Sequence, residues 1–231
     1  LIVNSFPNSP LPNNNIFFMR CLLKVSFNFN VNYLNIMNVI KNLYYKILNK
    51  QISNIYKSRF KKHQSSPKGV FWNSKLSQDL RLNIILDNII KHSLSKMVSI
   101  ADVGCGYGRL FEIIKERGLD KKIQYNGFDI NKEMIIHCSK RKQFKKASFG
   151  IRTYPSQNFD YVIMSGTYNL APIKNINIWE NYIIENLKSN WGCAKKALIF
   201  NCLVNQERII KKNLYYTELY WIKKVCEDNF G

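Results

Sequence analysis

Acidic residues are scarce in this 231-residue chain: 15 Asp and Glu stand against 35 Lys and Arg, a formal net charge of +20. The first acid is Asp79, so residues 1–78 hold 11 of the basic groups and no carboxylate. That balance suits a partner of negative charge, either nucleic acid through the basic N-terminal segment or an anionic lipid surface. It equally suits a Lys-, Asn- and Ile-heavy coding bias, since no run of Lys or Arg exceeds a few residues. Long hydrophobic runs are missing too. The stretch 16–27 is broken by Arg20 and Lys24, short of the roughly 18 to 20 apolar residues of a membrane span. Pro7, Pro10, Pro12 and three consecutive Asn stand where a signal peptide would need its apolar core. Cysteine is spread thinly over Cys21, Cys105, Cys138, Cys193, Cys202 and Cys226, with no Cys-x-x-Cys pair and no histidine at ligand spacing. This argues against a zinc site or a disulfide framework, so no metal is expected and a reducing, cytoplasmic setting is the simpler assignment.

What remains is ordinary globular material, 46% apolar and 22% charged, enough to bury one core of normal size. Residues 1–36 alternate Asn, Pro and bulky apolar residues without a period. The chain opens on Leu1, with Met19 and Met37 as alternative starts, so this stretch reads as an irregular or spurious extension. Over 38–60, Ile40, Leu43, Tyr44, Ile47, Leu48, Ile52 and Ile55 recur at spacings of three and four, with lysines on other faces. That predicts a basic amphipathic helix, followed by a hinge over 61–69; segment 37–69 thus forms one unit. Residues 70–231 then alternate helix and strand: a helix over 74–90, strands at 98–104, 123–130, 146–151, 159–165 and 197–203, and helices between them. Strands separated by helical crossovers imply a parallel sheet buried on both faces. The predicted class is α/β, doubly wound and mostly parallel, with helices on both faces. After 203 only one helix, 218–230, is expected.

The most informative stretch is Asp102-Val103-Gly104-Cys105-Gly106-Tyr107-Gly108, between the first strand and its helix. Glycines there let backbone N–H groups approach a ligand, and a helix N-terminus favours electron-rich groups. A dinucleotide fingerprint would need glycine at Arg109, and a phosphate-binding loop would need a following Gly-Lys-Ser or Gly-Lys-Thr. Neither is present.

The stretch resembles the first motif of class I S-adenosylmethionine-dependent methyltransferases, with Asp102 two positions before Gly104, Gly106 and Gly108. The resemblance extends to the second strand, 125–130, which ends on Asp129 and Ile130, and to 159–166, which looks like the family's fourth strand. It covers roughly 70–203. It implies that Asp129 binds the cofactor's two ribose hydroxyls, and an ionised Asp, being acceptor-only, can take both. It implies that Asp102, Gly104, Cys105, Gly106, Gly108, Ile130 and Ser165 border S-adenosylmethionine, the expected cofactor. In a bacterial subgroup of unassigned substrate a similar helix precedes the first motif, and there Gln78 and Arg81, three apart on one face, would lid the cofactor. Tyr168 and Asn169 are the acceptor-side candidates.

Two departures stand out. After the third strand many members place an acid near the adenine amino group, where this chain has Arg152 and Thr153. The family's closing antiparallel hairpin has no counterpart in the reading of 204–231, so the domain is expected to be C-terminally incomplete at Gly231. The Asn/Asp-Pro-Pro-aromatic motif of base-amino methylation is absent, since the place reads Ser165-Gly166-Thr167-Tyr168. The expected function is therefore methyl transfer to a small molecule. An RNA or ribosomal substrate is the alternative within the enzyme class, and a non-catalytic cofactor- or partner-binding module the alternative outside it.

Overall fold

The computed structural model describes residues 31–93 and 97–230, so most of the extension predicted over 1–36 lies outside the described residues. The central sheet has five strands in the order β3-β2-β1-β4-β5: β1 (Val98–Val103), β2 (Ile123–Asp129), β3 (Ser148–Ile151), β4 (Phe159–Ser165) and β5 (Ala194–Asn201). Every pairing within it is parallel. Parallel neighbours need crossovers, supplied by α3 (Arg109–Glu116), α4 (Lys132–Lys140) and α5 (Ile176–Trp191). The reversal of strand order between β1 and β4 opens a crevice at the carboxyl ends of the strands, where doubly wound sheets bind ligands.

Side-chain alternation along the central strands feeds two separate cores. Ile100, Tyr161 and Ile163 join Leu86 and Ile89 of α2 (Lys75–Ser93) and Leu110 and Phe111 of α3. Ala101, Val103, Val162 and Met164 point the other way, onto Leu48 and Ile52 of α1 (Val31–His63), Trp179 and Leu187 of α5, and Ile222 of α6 (Leu219–Phe230). Both faces of the sheet are covered, which explains the near-continuous apolar run of β4.

Three sequence expectations need correction. The first helix starts at Val31, inside the segment expected to be irregular, and runs to His63, into the expected hinge. Its Asn-rich beginning carries enough Ile, Leu and Met to continue the helical period. Strands also follow residue 203: β6 (Leu203–Asn205), β7 (Ile209–Lys211) and β8 (Leu214–Glu218) form a second sheet in the order β6-β8-β7. The β7–β8 pair is an antiparallel hairpin whose two turn residues, Lys212 and Asn213, have φ of 51° and 63°. Positive φ at both positions suits the primed hairpin turns normally marked by glycine, and Lys-Asn gives no such mark. This sheet pins the loop after β4: Ala171 N–H donates to Asn213 O at 2.9 Å and Tyr215 N–H to Asn169 O at 2.9 Å. Buried Glu180 of α5 accepts from Arg208 and from the Tyr215 hydroxyl, fixing the hairpin to the main body.

Candidate functional site

The glycine turn between β1 and α3 has φ of +81° at Gly104, +56° at Gly106 and +84° at Gly108, a region that side chains disfavour. Space forbids a side chain as well. A Cβ on Gly104 would meet Thr167 Oγ1 at 2.8 Å, and one on Gly108 would meet Phe144 at 2.6 Å. Four amides of the turn bond within the protein. Gly104 and Cys105 donate to Phe128 O, Gly108 to Cys105 O, and Gly106 to the Asp129 carboxylate at 2.9 Å. At Gly104 and Gly106 the turn therefore offers a ligand bare backbone, beside Cys105 and Tyr107.

The turn borders a partly open cleft. Asp102, Gly104, Cys105, Gly106, Asp129, Ile130, Ser165, Gln78 and Tyr168 all line it. Of the remaining expected residues, Gly108 serves as the N-cap of α3 and is not on the lining. Neither is Asn169, whose buried side-chain oxygen has no hydrogen bond among the described residues. Arg81 stands one layer out, its guanidinium 4.8 Å from the Trp72 ring centroid, while Trp72 itself faces the cleft. Gln78 and Arg81 thus share a helix without sharing the wall.

Asp129 closes the second strand with both oxygens anchored: Oδ2 accepts from Gly106 N–H and Oδ1 from Asn131 N–H at 2.8 Å. The carboxylate lines the cleft and, with about four acceptor sites in all, has capacity beyond these bonds. Burial raises its pKa, partly offset by the bonds from Asn131, Gly106 and Ile130. Asp102 is buried and accepts from the Tyr125 hydroxyl at 2.6 Å. Burial pushes its pKa up to about 7; the Tyr125 bond opposes this, and the charge of Asp129 adds to it.

The shift has a measurable sign. With an ordinary value of 3.8 in the unfolded chain, folded Asp102 keeps a proton between about pH 4 and pH 7 that the unfolded state has lost, so its contribution to stability declines as pH rises through that window and levels off above it. Asp102→Asn, which retains an acceptor for Tyr125, is expected to flatten that decline in denaturant unfolding at about pH 5 and about pH 8. Asp129 and Glu180 shift in the same direction, so part of the slope persists. An unchanged slope would show that Asp102 is ionised throughout.

The exit of β4 is clamped from two sides. Asn201 at the end of β5 accepts from Gly166 N–H at 2.8 Å and donates to Ser165 Oγ at 2.9 Å, and Thr167 donates to Val103 O at 3.0 Å. Tyr168 turns its hydroxyl to Met164 Sδ at 3.6 Å, and burial raises its pKa well above the ordinary value, so it is a wall and not a base. None of His63, His92 and His137 lines the cleft. Arg152 and Thr153 do, and Arg152 has no side-chain partner among the described residues. What sequence reasoning missed is the roof: Ile52 and Tyr56 of α1, with Val70 from the short 3-10 turn Pro67–Val70, cover the turn and Asp129. A Cβ on Gly106 would touch Val70 at 3.1 Å. No local signal announces a roof built from a segment some fifty residues upstream of the turn.

The arrangement has known counterparts. A S-adenosylmethionine-dependent methyltransferase of Leishmania major superposes with a TM-score of 0.59 at 12% identity, covering 77% of this chain and 72% of that one. The chain has the fold of the class I S-adenosylmethionine-dependent methyltransferases. The magnesium protoporphyrin IX methyltransferase of Synechocystis, solved with bound SAH, gives the same class I methyltransferase fold with a TM-score of 0.54 at 14% identity, covering 67% and 73%. In sequence, a protein of Mycobacterium tuberculosis named "Putative methyltransferase" is 28% identical over 137 residues, 58% of this chain and 81% of that one. A family model described as "Methionine biosynthesis protein MetW" matches residues 83–183, which begins in α2 and ends in α5 of this methyltransferase fold.

Proposed function

We propose that this methyltransferase binds S-adenosylmethionine in the cleft and transfers its methyl group to a small-molecule acceptor entering beside Tyr168. The observation that carries the reading is the pairing of a glycine turn with an anchored carboxylate. Gly106 donates to Asp129, and the same carboxylate lines the cleft. In this reading Asp129 accepts both ribose hydroxyls, Ile130 and Arg152 flank the adenine, and Gln78 with Trp72 covers the amino-acid end. Bound there, the cofactor supplies an electrophilic methyl carbon on a positively charged sulfur. An ionised Asp129 gives the wall a negative character that suits such a cation.

The protein's part is positioning. In-line displacement needs the nucleophile about 3 to 3.5 Å from the methyl carbon with water excluded. The loop clamped by Asn201, Thr167 and the second sheet makes the acceptor side rigid. With no histidine on the wall and Tyr168 held neutral, the site favours acceptors that need no general base, such as a carboxylate or a neutral amine. Incubating the full chain with methyl-labelled cofactor and fractionated cell extract tests the substrate class. Label is expected in the low-mass fraction. Label in RNA, or in no fraction while cofactor still binds, would overturn it in favour of the RNA or non-catalytic reading.

A further inference from the structure

Six large apolar side chains left in solvent lie within residues 36–47 of α1: Ile36, Met37, Val39, Ile40, Leu43 and Ile47. At helical spacing five of them, all but Met37, share one arc about 100° wide, turned away from Leu48 and Ile52, which enter the core. The helix thus has two apolar faces, one buried and one bare. Exposed Lys46 stands at the border of the bare arc, and exposed Lys50 and Lys61 continue it toward the C-terminal end of the helix. None of the three has an ion-pair partner among the described residues. α1 contains no acid at all. Two of its other cations are engaged with distant acids, Lys41 with Glu185 and Lys57 with Glu133, which leaves the outward lysines as the uncompensated ones.

We propose that this face docks on an anionic membrane surface, with α1 lying in the interface plane, its apolar arc among the acyl chains and its lysines at the headgroup phosphates. Charge decides between occupants. A second copy would oppose lysine to lysine with no carboxylate on either helix, and RNA would leave the apolar arc in water. An anionic bilayer satisfies both at once. No described helix is long and apolar enough to cross a membrane, so attachment is peripheral. The same helix carries Ile52 and Tyr56 to the cleft, which sets the docked face within about 20 Å of the site at 1.5 Å rise per residue.

Co-sedimentation of the full chain with phosphatidylcholine vesicles, with and without about 30% phosphatidylglycerol, tests the proposal. The wild type is expected to pellet with the anionic vesicles, and at least roughly tenfold more weakly with neutral ones or in high salt. The variant Ile40→Ser/Leu43→Ser/Ile47→Ser should lose roughly tenfold or more on anionic vesicles. All three positions are exposed and none touches the cleft, so S-adenosylmethionine affinity should be unchanged in the variant, which separates this proposal from the reading of the site. Failure of the wild type to bind anionic vesicles would overturn it. So would equal binding by the variant, or a dimer in light scattering that the same substitutions dissolve.

Discussion

Replacing Asp129 by alanine is expected to weaken S-adenosylmethionine binding roughly 10- to 150-fold, the equivalent of about 1.5–3 kcal/mol for a charged acceptor. Two losses combine. The ribose hydroxyls lose their acceptor, and the amides of Gly106 and Asn131 lose the carboxylate that holds the turn and the start of α4 together. Asp129→Asn separates the two. Its remaining oxygen can serve one amide, but the new NH2 faces a donor, so binding should fall to an intermediate value. Thermal unfolding of each variant tells a loosened turn from a lost contact. Equal affinity in wild type and Asp129→Ala, with both proteins folded, would remove Asp129 from the site.

The largest expected effect on stability comes from Arg109→Met. Arg109 sits where a dinucleotide-binding loop would have glycine, and its guanidinium is buried, donating to both oxygens of Asp79 and to Glu112 and Glu116. It ties α2 to the start of α3, directly behind the glycine turn. Hydrogen bonds to Asp79 raise its pKa against the opposing effect of burial, with Glu116 and Glu112 adding to the rise. Removing it takes the cation from three neighbouring carboxylates, of which, among the described residues, Glu112 alone keeps another, Arg141. Glu116 can turn to water, its side chain being 56% exposed, but Asp79 is only 22% exposed and is left without its partner. Breaking a buried pair from one side costs about 3–5 kcal/mol, read as a lowered urea midpoint at unchanged slope. Arg109→Lys should recover little, since one ammonium cannot serve Asp79 bidentately and Glu116 together. A loss under about 1 kcal/mol would mean the network contributes little net stability.

The contrast between what the sequence discloses and what it hides follows from locality. The reading of 159–165 as a strand matches β4, Phe159–Ser165, because a strand buried on both faces writes itself as a near-continuous apolar run, here Tyr161 to Met164. The turn was legible because three glycines must meet Thr167, Val70 and Phe144 without side chains. β6, β7 and β8 were not, being three to five residues long and joined by a Lys-Asn turn without glycine. Periodicity found α1 but could not say that its apolar positions divide between a core, a cleft roof and bare solvent, since that division depends on what lies opposite each face. Arg81 illustrates the same limit: its spacing from Gln78 is helical, but Trp72 stands between it and the cleft.

Calorimetric titration of the folded full chain with S-adenosylmethionine, with NADH as the control ligand, tests the central claim most directly. The account predicts one site that takes S-adenosylmethionine and not NADH, weakened in Asp129→Ala. Absence of S-adenosylmethionine binding by the folded wild type would contradict it, leaving the glycine turn as architecture alone.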